Sequence, residues 1–170
     1  LARLNMSGNN IDNFLGRAEI VNASLMRNGR PLPFDSLVLT ASVEGDQKTI
    51  HLRSNEIDGN ITGKFNILEL PNAVRLFLNK YYPAYIKPPT SIPSDASFVF
   101  DISTYYVDDY IQLVDSSLYG FENSRFMGKL DTKNNILQLN ATVPQFKWDT
   151  YNFDDVRVTC ANLYRSQSGY

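Results

Sequence analysis

The chain has 170 residues, of which 43% are hydrophobic and 20% are charged, and this composition is typical of a globular protein rather than a disordered one. Its net charge of -2 offers no electrostatic basis for binding a polyanion, so we expect no nucleic-acid partner. No apolar run approaches the roughly 18 residues needed to cross a bilayer. The chain starts with Leu1 rather than an initiator methionine, and its first residues lack the layout of a signal peptide. We therefore expect the chain to be a piece of a longer protein.

Apolar and polar residues alternate through residues 1–65, and this period of two predicts β-strands. The Asn28-Gly29 pair lies between two apolar runs, which favours a hairpin. Gly59 and Gly63 fall on the apolar side of the last strand and leave room there. We expect an antiparallel meander with one apolar face. Its strands are predicted over residues 1–7, 17–26, 34–44, 49–55 and 57–65.

The pattern then changes to a helical one. Pro71 suits the first turn of a helix, apolar residues follow at helical spacing through Tyr81, and Pro83 ends the helix. Residues 87–95 contain three prolines and predict an extended, exposed crossing.

Strands return in the second half, over residues 96–103, 125–130, 136–143 and 153–159, with Pro144 closing the third of these. A second amphipathic helix is predicted from an N-cap at Ser103 or Thr104 to near Gly120. The segment 153–159 repeats the F-D-x-aliphatic-x-aliphatic-T pattern of residues 34–40, which suggests two related halves.

These elements predict a mainly β (α+β) fold with antiparallel meander sheets and two amphipathic helices. We divide the chain into residues 1–86 (first meander plus helix), 87–95 (proline-rich crossing) and 96–170 (second strand-helix-meander half), as one structural unit. If both helices lie on the apolar face, the domain is simply packed. If they cap only its ends, an open apolar trough remains, which acyl chains would fill.

The inventory of reactive side chains is small, and we expect no enzyme activity, no cofactor and no metal. His51 is the only histidine and lies on the polar side of a strand, so we expect a solvated surface residue. Cys160 shares the apolar register and is expected to be a buried small hydrophobe. The Asp108-Asp109 and Asp154-Asp155 pairs place their carboxylates in different directions, and we expect these four residues and Asp115 to be solvated surface acids.

Aromatic residues concentrate at Tyr81-Tyr82-Pro83-Ala84-Tyr85 and at Phe146, Trp148, Tyr151 and Phe153. Such rings can stack on sugars. We expect them to pack in the core or at its rim, where tyrosine hydroxyls find surface partners.

The strand rhythm and glycine positions resemble those of a known family. The run Leu37-x-Leu39 through Ile50-x-Leu52-x-Ser54-Asn55, the strand Ile57-Asp58-Gly59-x-Ile61-x-Gly63-x-Phe65 and the helix end Phe77-Leu78-x-x-Tyr81-Tyr82-Pro83 resemble TamB-like members of the AsmA superfamily, particularly those of Bacteroidetes. The second half, from Leu118-Tyr119-Gly120 to Phe153-Asp154-x-Val156-x-Val158, also suits their repeats.

The resemblance implies a groove or taco-like half-barrel in a periplasmic segment of an inner-membrane-anchored protein. It implies phospholipid transport to the outer membrane and a part in outer-membrane biogenesis. The partners would be phospholipid acyl chains, neighbouring β repeats of the parent chain and an outer-membrane protein. By register, the groove lining would be Leu37, Leu39, Ala41, Val43, Ile50, Leu52, Ile57, Ile61, Phe65, Leu137, Leu139 and Val143.

A second interpretation belongs to a different functional class. The chain would be a non-catalytic scaffold, or a protein- or glycan-binding repeat module of a large cell-envelope protein. This interpretation predicts helices buried on the sheet with no residual cavity.

Overall fold

The computed structural model describes residues 2–8, 11–27, 30–81, 83–84, 86–114 and 117–161. Within these ranges there are ten strands, two α-helices and a 3-10 turn at Ile11–Asn13. The strands are β1 (Ala2–Ser7), β2 (Leu15–Arg27), β3 (Arg30–Glu44), β4 (Gln47–Ser54), β5 (Ile57–Lys64), β6 (Ser97–Thr104), β7 (Leu118–Gly120), β8 (Arg125–Asp131), β9 (Ile136–Trp148) and β10 (Tyr151–Ala161); the helices are α1 (Leu70–Tyr81) and α2 (Asp108–Val114).

All ten strands belong to one antiparallel sheet, which does not close on itself. Its order is β1-β2-β3-β4-β5-β6-β8-β9-β10, with β7 paired to β9 beside β8. The strands therefore follow the order of the chain, as a meander does. The predicted mainly β fold with antiparallel strands and two helices is confirmed. Both helices lie in the connections on either side of β6, and the sheet runs unbroken through both halves of the sequence.

Three elements differ from the sequence prediction. The second helix begins at Asp108 rather than at Ser103 or Thr104, because those two residues complete β6, and residues 118–120 form β7. Pro144 does not close β9, which continues to Trp148. The strand tolerates this proline because Asp155, the residue across from it, has a positive φ of 50° and the two residues form no ladder pair.

One face of the sheet is apolar across successive strands, because the residues that face the same way are also in register. One row across the strands consists of Ala41, Ile50, Ile61, Phe100, Gly128 and Leu139, and the next of Leu39, Leu52, Gly59, Ile102, Phe126 and Ala141. Side chains in such rows contact one another directly, so the two rows form a continuous apolar surface.

The core lies where α1 covers one end of this face. Ala73 and Phe77 from the helix and Phe14 from the β1–β2 connection pack with sheet residues such as Ile50 and Phe98. Phe65 meets Phe98 edge to face, with ring centroids 5.7 Å apart. Burial of these side chains holds the helix against the strand ends.

Polar contacts fix where α1 begins. Asp12 Oδ1 accepts hydrogen bonds from the backbone N–H groups of Ile67 (2.5 Å) and Leu68 (3.3 Å), just before the helix. The buried Lys48 donates from Nζ to the backbone carbonyl of Asp12, and its burial lowers the pKa of Lys48. The 3-10 turn thus joins β4 to the start of α1.

The crossing from residue 86 to residue 95 runs back along α1. Asn72 donates to Ser91 Oγ (3.1 Å), and the Glu69 carboxylate accepts from the backbone N–H of Ser94 (3.0 Å). Asn79 donates to the carbonyl of Ile86. At its far end α1 is tied to the β8–β9 turn by Lys80, which donates to Asn135. Helix α1 therefore spans the strand ends from β5 to β9.

Helix α2 lies at the opposite ends of the strands. Its Tyr110 O–H donates to the carbonyl of Pro33 in β3 (2.9 Å), and its Asp108 carboxylate accepts from the backbone N–H of Gly120 in β7 (2.6 Å). The buried Thr104 bonds both ways with Ser124, accepting from its N–H (3.1 Å) and donating to its carbonyl (3.3 Å). The two helices thus cap opposite ends of the sheet, and the middle of the apolar face lies between them.

Candidate functional site

An apolar groove of about 490 Å³ lies beside the core, between α1 and the sheet, and is open to solvent. Every residue that lines it is apolar: Ile61, Leu70, Pro71, Val74, Phe77, Leu78, Phe98, Phe100, Ile102, Leu130, Leu137 and Leu139. Binding sites for small molecules usually combine such a lining with a few polar groups that orient the ligand. This lining has none, so a ligand would be held by burial alone.

The groove has a helical wall and a strand floor. Amphipathic spacing along α1 turns Pro71, Val74 and Leu78 toward it. The floor comes from β5, β6, β8 and β9, whose apolar residues point to the same side of the sheet. Val74 is 42% exposed although it is apolar and forms part of the wall. The helix therefore covers one side of the groove and leaves apolar surface in contact with water.

Three glycines shape the floor by standing opposite large residues of β6. Phe98 pairs with Gly63, Phe100 with Gly128, and Ile102 with Gly59. A Cβ on Gly63 would lie 2.6 Å from the Cα of Phe98, so that strand contact requires glycine, which also adopts a φ of +151° there. A Cβ on Gly59 would lie 3.6 Å from Ile102, an ordinary contact. Gly59 therefore leaves space above the floor that a side chain can fill.

The twelve residues predicted as groove lining occupy different environments. Ile61, Leu137 and Leu139 line the groove. Ala41, Ile50 and Phe65 lie in the core with α1 and Phe14, and Leu39 packs against that core. Val143 is also buried, at the α2 end of the sheet, and Leu37, Leu52 and Ile57 are half-buried on the apolar face. Val43 is 52% exposed near the β3–β4 turn, outside the groove.

The sequence prediction missed the remaining nine lining residues. Phe98, Phe100 and Ile102 alternate in β6, and Val74, Phe77 and Leu78 recur at helical spacing, so the periodic signal for both elements was present. The missing information was the position of α1, because a helical period does not say which strands the helix crosses.

The opposite face of the sheet is polar and carries paired charges. His51 Nε2 lies 2.8 Å from Asp58 Oδ1, and Arg53 Nε lies 3.1 Å from the other carboxylate oxygen. The hydrogen bond from His51, followed by that from Arg53, holds the pKa of Asp58 below its usual range. Arg125 donates twice to Asp101, at 2.8 and 3.1 Å. His51 is thus a paired, half-exposed surface residue, and these ion pairs form a solvated face.

The other candidates for chemistry remain apart. Cys160 is half-buried rather than fully buried, on β10 at the edge of the sheet that the structure describes. No group of three or more His, Cys, Asp or Glu residues within the described ranges is placed to hold a metal ion. Asp115, Tyr82 and Tyr85 lie outside those ranges.

Of the second aromatic group, Phe146 is half-buried, while Phe153, Trp148 and Tyr151 are exposed at 38%, 55% and 66%. The expected rim position applies to Phe146 and Phe153, which stack with centroids 4.5 Å apart. Trp148 and Tyr151 are too exposed for core packing.

No protein-family model, curated protein or solved structure gives a significant match to this chain. Among the described residues, no helix combines the length and the apolar content that crossing a bilayer requires.

Proposed function

We propose that the apolar groove binds the acyl chains of a phospholipid. The observation that carries this proposal is the lining: twelve apolar residues around about 490 Å³ of space that is open to water. Surface of this kind is costly to leave exposed, and an apolar ligand would remove it from water.

The chemistry of the lining fits a hydrocarbon chain. Each CH₂ group buried contributes about 0.8 kcal/mol, without regard to direction. A chain can therefore shift along the floor without breaking any specific bond. A charged headgroup would stay in water, since the groove offers it no partner and burying an unpaired charge is costly.

The wider role follows from the family resemblance and is part of the same proposal. The chain would be a periplasmic segment of an inner-membrane-anchored protein, acting in phospholipid transport to the outer membrane and in outer-membrane biogenesis. Neighbouring β repeats of the parent chain and an outer-membrane protein would be its partners. The cavity between α1 and the sheet favours this role over a scaffold, for which we expect helices packed on the sheet without a residual groove.

A photo-crosslinking residue at Ile102 in the parent protein, in cells, tests the proposal. Ile102 lies on the groove floor, and Ser103 beside it points to the polar face, so Ser103 is the matched control. Mass spectrometry should detect lipid attached at position 102 and not at position 103. Crosslinks from position 102 to protein alone would contradict the proposal and favour the scaffold interpretation.

A second experiment blocks the groove. In Gly59→Leu the new side chain would project over the floor beside Ile102, where a Cβ is accommodated. The control Asn60→Leu adds the same side chain to the opposite, polar face. We expect Gly59→Leu to weaken binding of a fluorescent fatty acid and Asn60→Leu to leave it unchanged. Equal binding by both variants would exclude the groove as the site.

A further inference from the structure

Exposed aromatic residues collect at one end of the molecule. Among side chains that the structure describes, the exposed aromatic ones are Tyr105, Tyr106, Tyr119, Trp148, Tyr151 and Phe153. Tyr105 and Tyr106 follow the end of β6, Tyr119 lies in β7, and the other three lie in the β9–β10 hairpin. All six are at the α2 end of the sheet, which we call the aromatic end.

The β9–β10 hairpin projects beyond the neighbouring strands β6 and β8 at this end. Strand β8 begins at Arg125, which pairs with Thr142 of β9. Beyond that pair, β9 continues to Trp148, and among the described residues only β10 and the three residues of β7 pair with it. The Trp148–Tyr151 pair closes the hairpin at its tip. Within this hairpin, the two most exposed rings, Trp148 and Tyr151, are also the ones farthest out.

A row of phenylalanines connects the hairpin with the groove. Ring centroids are 4.5 Å apart for Phe153 and Phe146, 5.1 Å for Phe146 and Phe121, and 6.4 Å for Phe121 and Phe126. Phe126 in turn stands opposite Ile102, which lines the groove. Apolar surface thus continues from the projecting tip to the proposed acyl-chain site.

We propose that the aromatic end docks on a zwitterionic lipid bilayer, with Trp148 and Tyr151 in the headgroup region. Indole and phenol rings combine an apolar body with a polar group, and they favour the boundary between lipid and water. One part of this inference rests on the proposed function: the phenylalanine row would give acyl chains an apolar path from the bilayer to the groove.

The charges around the tip select the kind of lipid. Asp149 lies in the hairpin turn, and Asp154 and Asp155 follow in β10, against Lys147 and Arg157. This small acidic excess would be repelled by an anionic surface, since the potential near such a membrane attracts cations. A zwitterionic surface carries no such penalty.

The test uses the tryptophan itself, since Trp148 is the only tryptophan in the sequence. We expect its emission to shift to the blue when phosphatidylcholine vesicles are added, and to be quenched by brominated phosphatidylcholine. Tyr151→Ala keeps the reporter and should raise the lipid concentration for half-maximal shift on the order of tenfold. Ile92→Ala, which removes a side chain 89% exposed in the distant crossing, should have no effect. Vesicles of phosphatidylglycerol should bind more weakly.

Three results would overturn this proposal. The first is an emission spectrum unchanged at every lipid concentration, or changed only by soluble oligosaccharides. The second is an equal effect of Tyr151→Ala and Ile92→Ala. The third is loss of vesicle binding in Gly59→Leu, which would place the contact at the groove. Fatty-acid binding measured without vesicles tests the groove proposal by itself. A failure of membrane docking can therefore be told apart from a failure of the groove to bind acyl chains.

Discussion

The ring of Phe100 lies directly over the backbone of Gly128, so that a Cβ on this glycine would be 2.7 Å from the Phe100 Cζ atom. The same Cβ would be 2.2 Å from the backbone carbonyl oxygen of Gln138. An aromatic ring packed on a cross-strand glycine covers backbone that would otherwise be exposed. In this molecule the contact also sets the depth of the groove floor, because Phe100 is one of the residues that line it.

Gly128→Ala should therefore destabilise the fold by about 1–3 kcal/mol, the usual cost of overpacking a filled site. Gly59→Ala is the matched control, since its Cβ would make an ordinary 3.6 Å contact with Ile102. We expect the control to be neutral or stabilising by up to about 1 kcal/mol, because alanine orders a strand at lower entropic cost than glycine does. Urea unfolding midpoints measure both changes. Equal midpoints for the two variants would contradict the packing described for Phe100.

Asp12→Ala should loosen the start of α1. The substitution removes the acceptor for the backbone N–H groups of Ile67 and Leu68, at a cost of about 1–2 kcal/mol. Hydrogen exchange should accelerate in the first turn of α1 more than in β8 or β9. Asp46→Ala, in the exposed β3–β4 turn, is the control and should leave both exchange and stability unchanged. Unaltered exchange in Asp12→Ala would show that this contact does not hold the helix.

Tyr110 gives the fold a dependence on alkaline pH. Burial, and then the nearby Glu56 carboxylate, raise the pKa of Tyr110 from 10.0 to about 12. The unfolded chain therefore loses the phenolic proton first as pH rises. The contribution of this residue to stability is complete below pH 10 and is lost between pH 10 and about pH 12.

In urea unfolding at pH 7, Tyr110→Phe should cost about 1 kcal/mol, the value of its hydrogen bond to Pro33. Between pH 10 and pH 12 the wild type should lose on the order of 1–2 kcal/mol that the variant does not lose, after allowance for partial exposure. Parallel curves for the two proteins over this range would refute the assignment.

Asp58 makes the stability of the fold depend on pH in the acid range. Because its pKa is lowered in the fold, chiefly by the hydrogen bond from His51, its contribution is present above the unfolded pKa and is lost as pH falls through the folded pKa. Asp58→Asn should cost no more than about 1 kcal/mol at pH 7, since the pair is partly exposed. The difference in urea midpoint between the two proteins should shrink as pH falls through the carboxyl range, because the unfolded chain takes up the Asp58 proton first. A difference that does not change with pH would point to packing rather than charge.

Much of the sheet could be predicted from sequence because its strands alternate cleanly. Ile57 and Ile61 lie where a period of two puts them, and the Asn28-Gly29 pair separates two strands that do form a hairpin, although the turn itself lies outside the described residues. The second helix was predicted too long at both ends, because apolar spacing around Val107 and Leu118 resembles a helix over a range where β6 and β7 make the hydrogen bonds.

The groove was only partly predictable. Register assigned Ile61, Leu137 and Leu139 to the right face, but it cannot tell a residue beneath a helix from one beside it. Ile50 and Phe65 share that face and lie in the core, because Asp12 and Lys48 fix α1 over their end of the sheet. Contacts between residues so far apart in the chain leave no periodic signal.

The order of the strands has a consequence for how the chain folds. Each strand of the sheet except β7 pairs with its nearest strand neighbour in sequence, so most pairings need only a short loop to close. A topology of low contact order favours rapid folding for a β protein. The exceptions are the long excursions on either side of β6, which carry the two helices. We therefore expect β2 to β5 and β8 to β10 to form early as separate hairpin arrays, and the alignment of β6 between them to be the slow step.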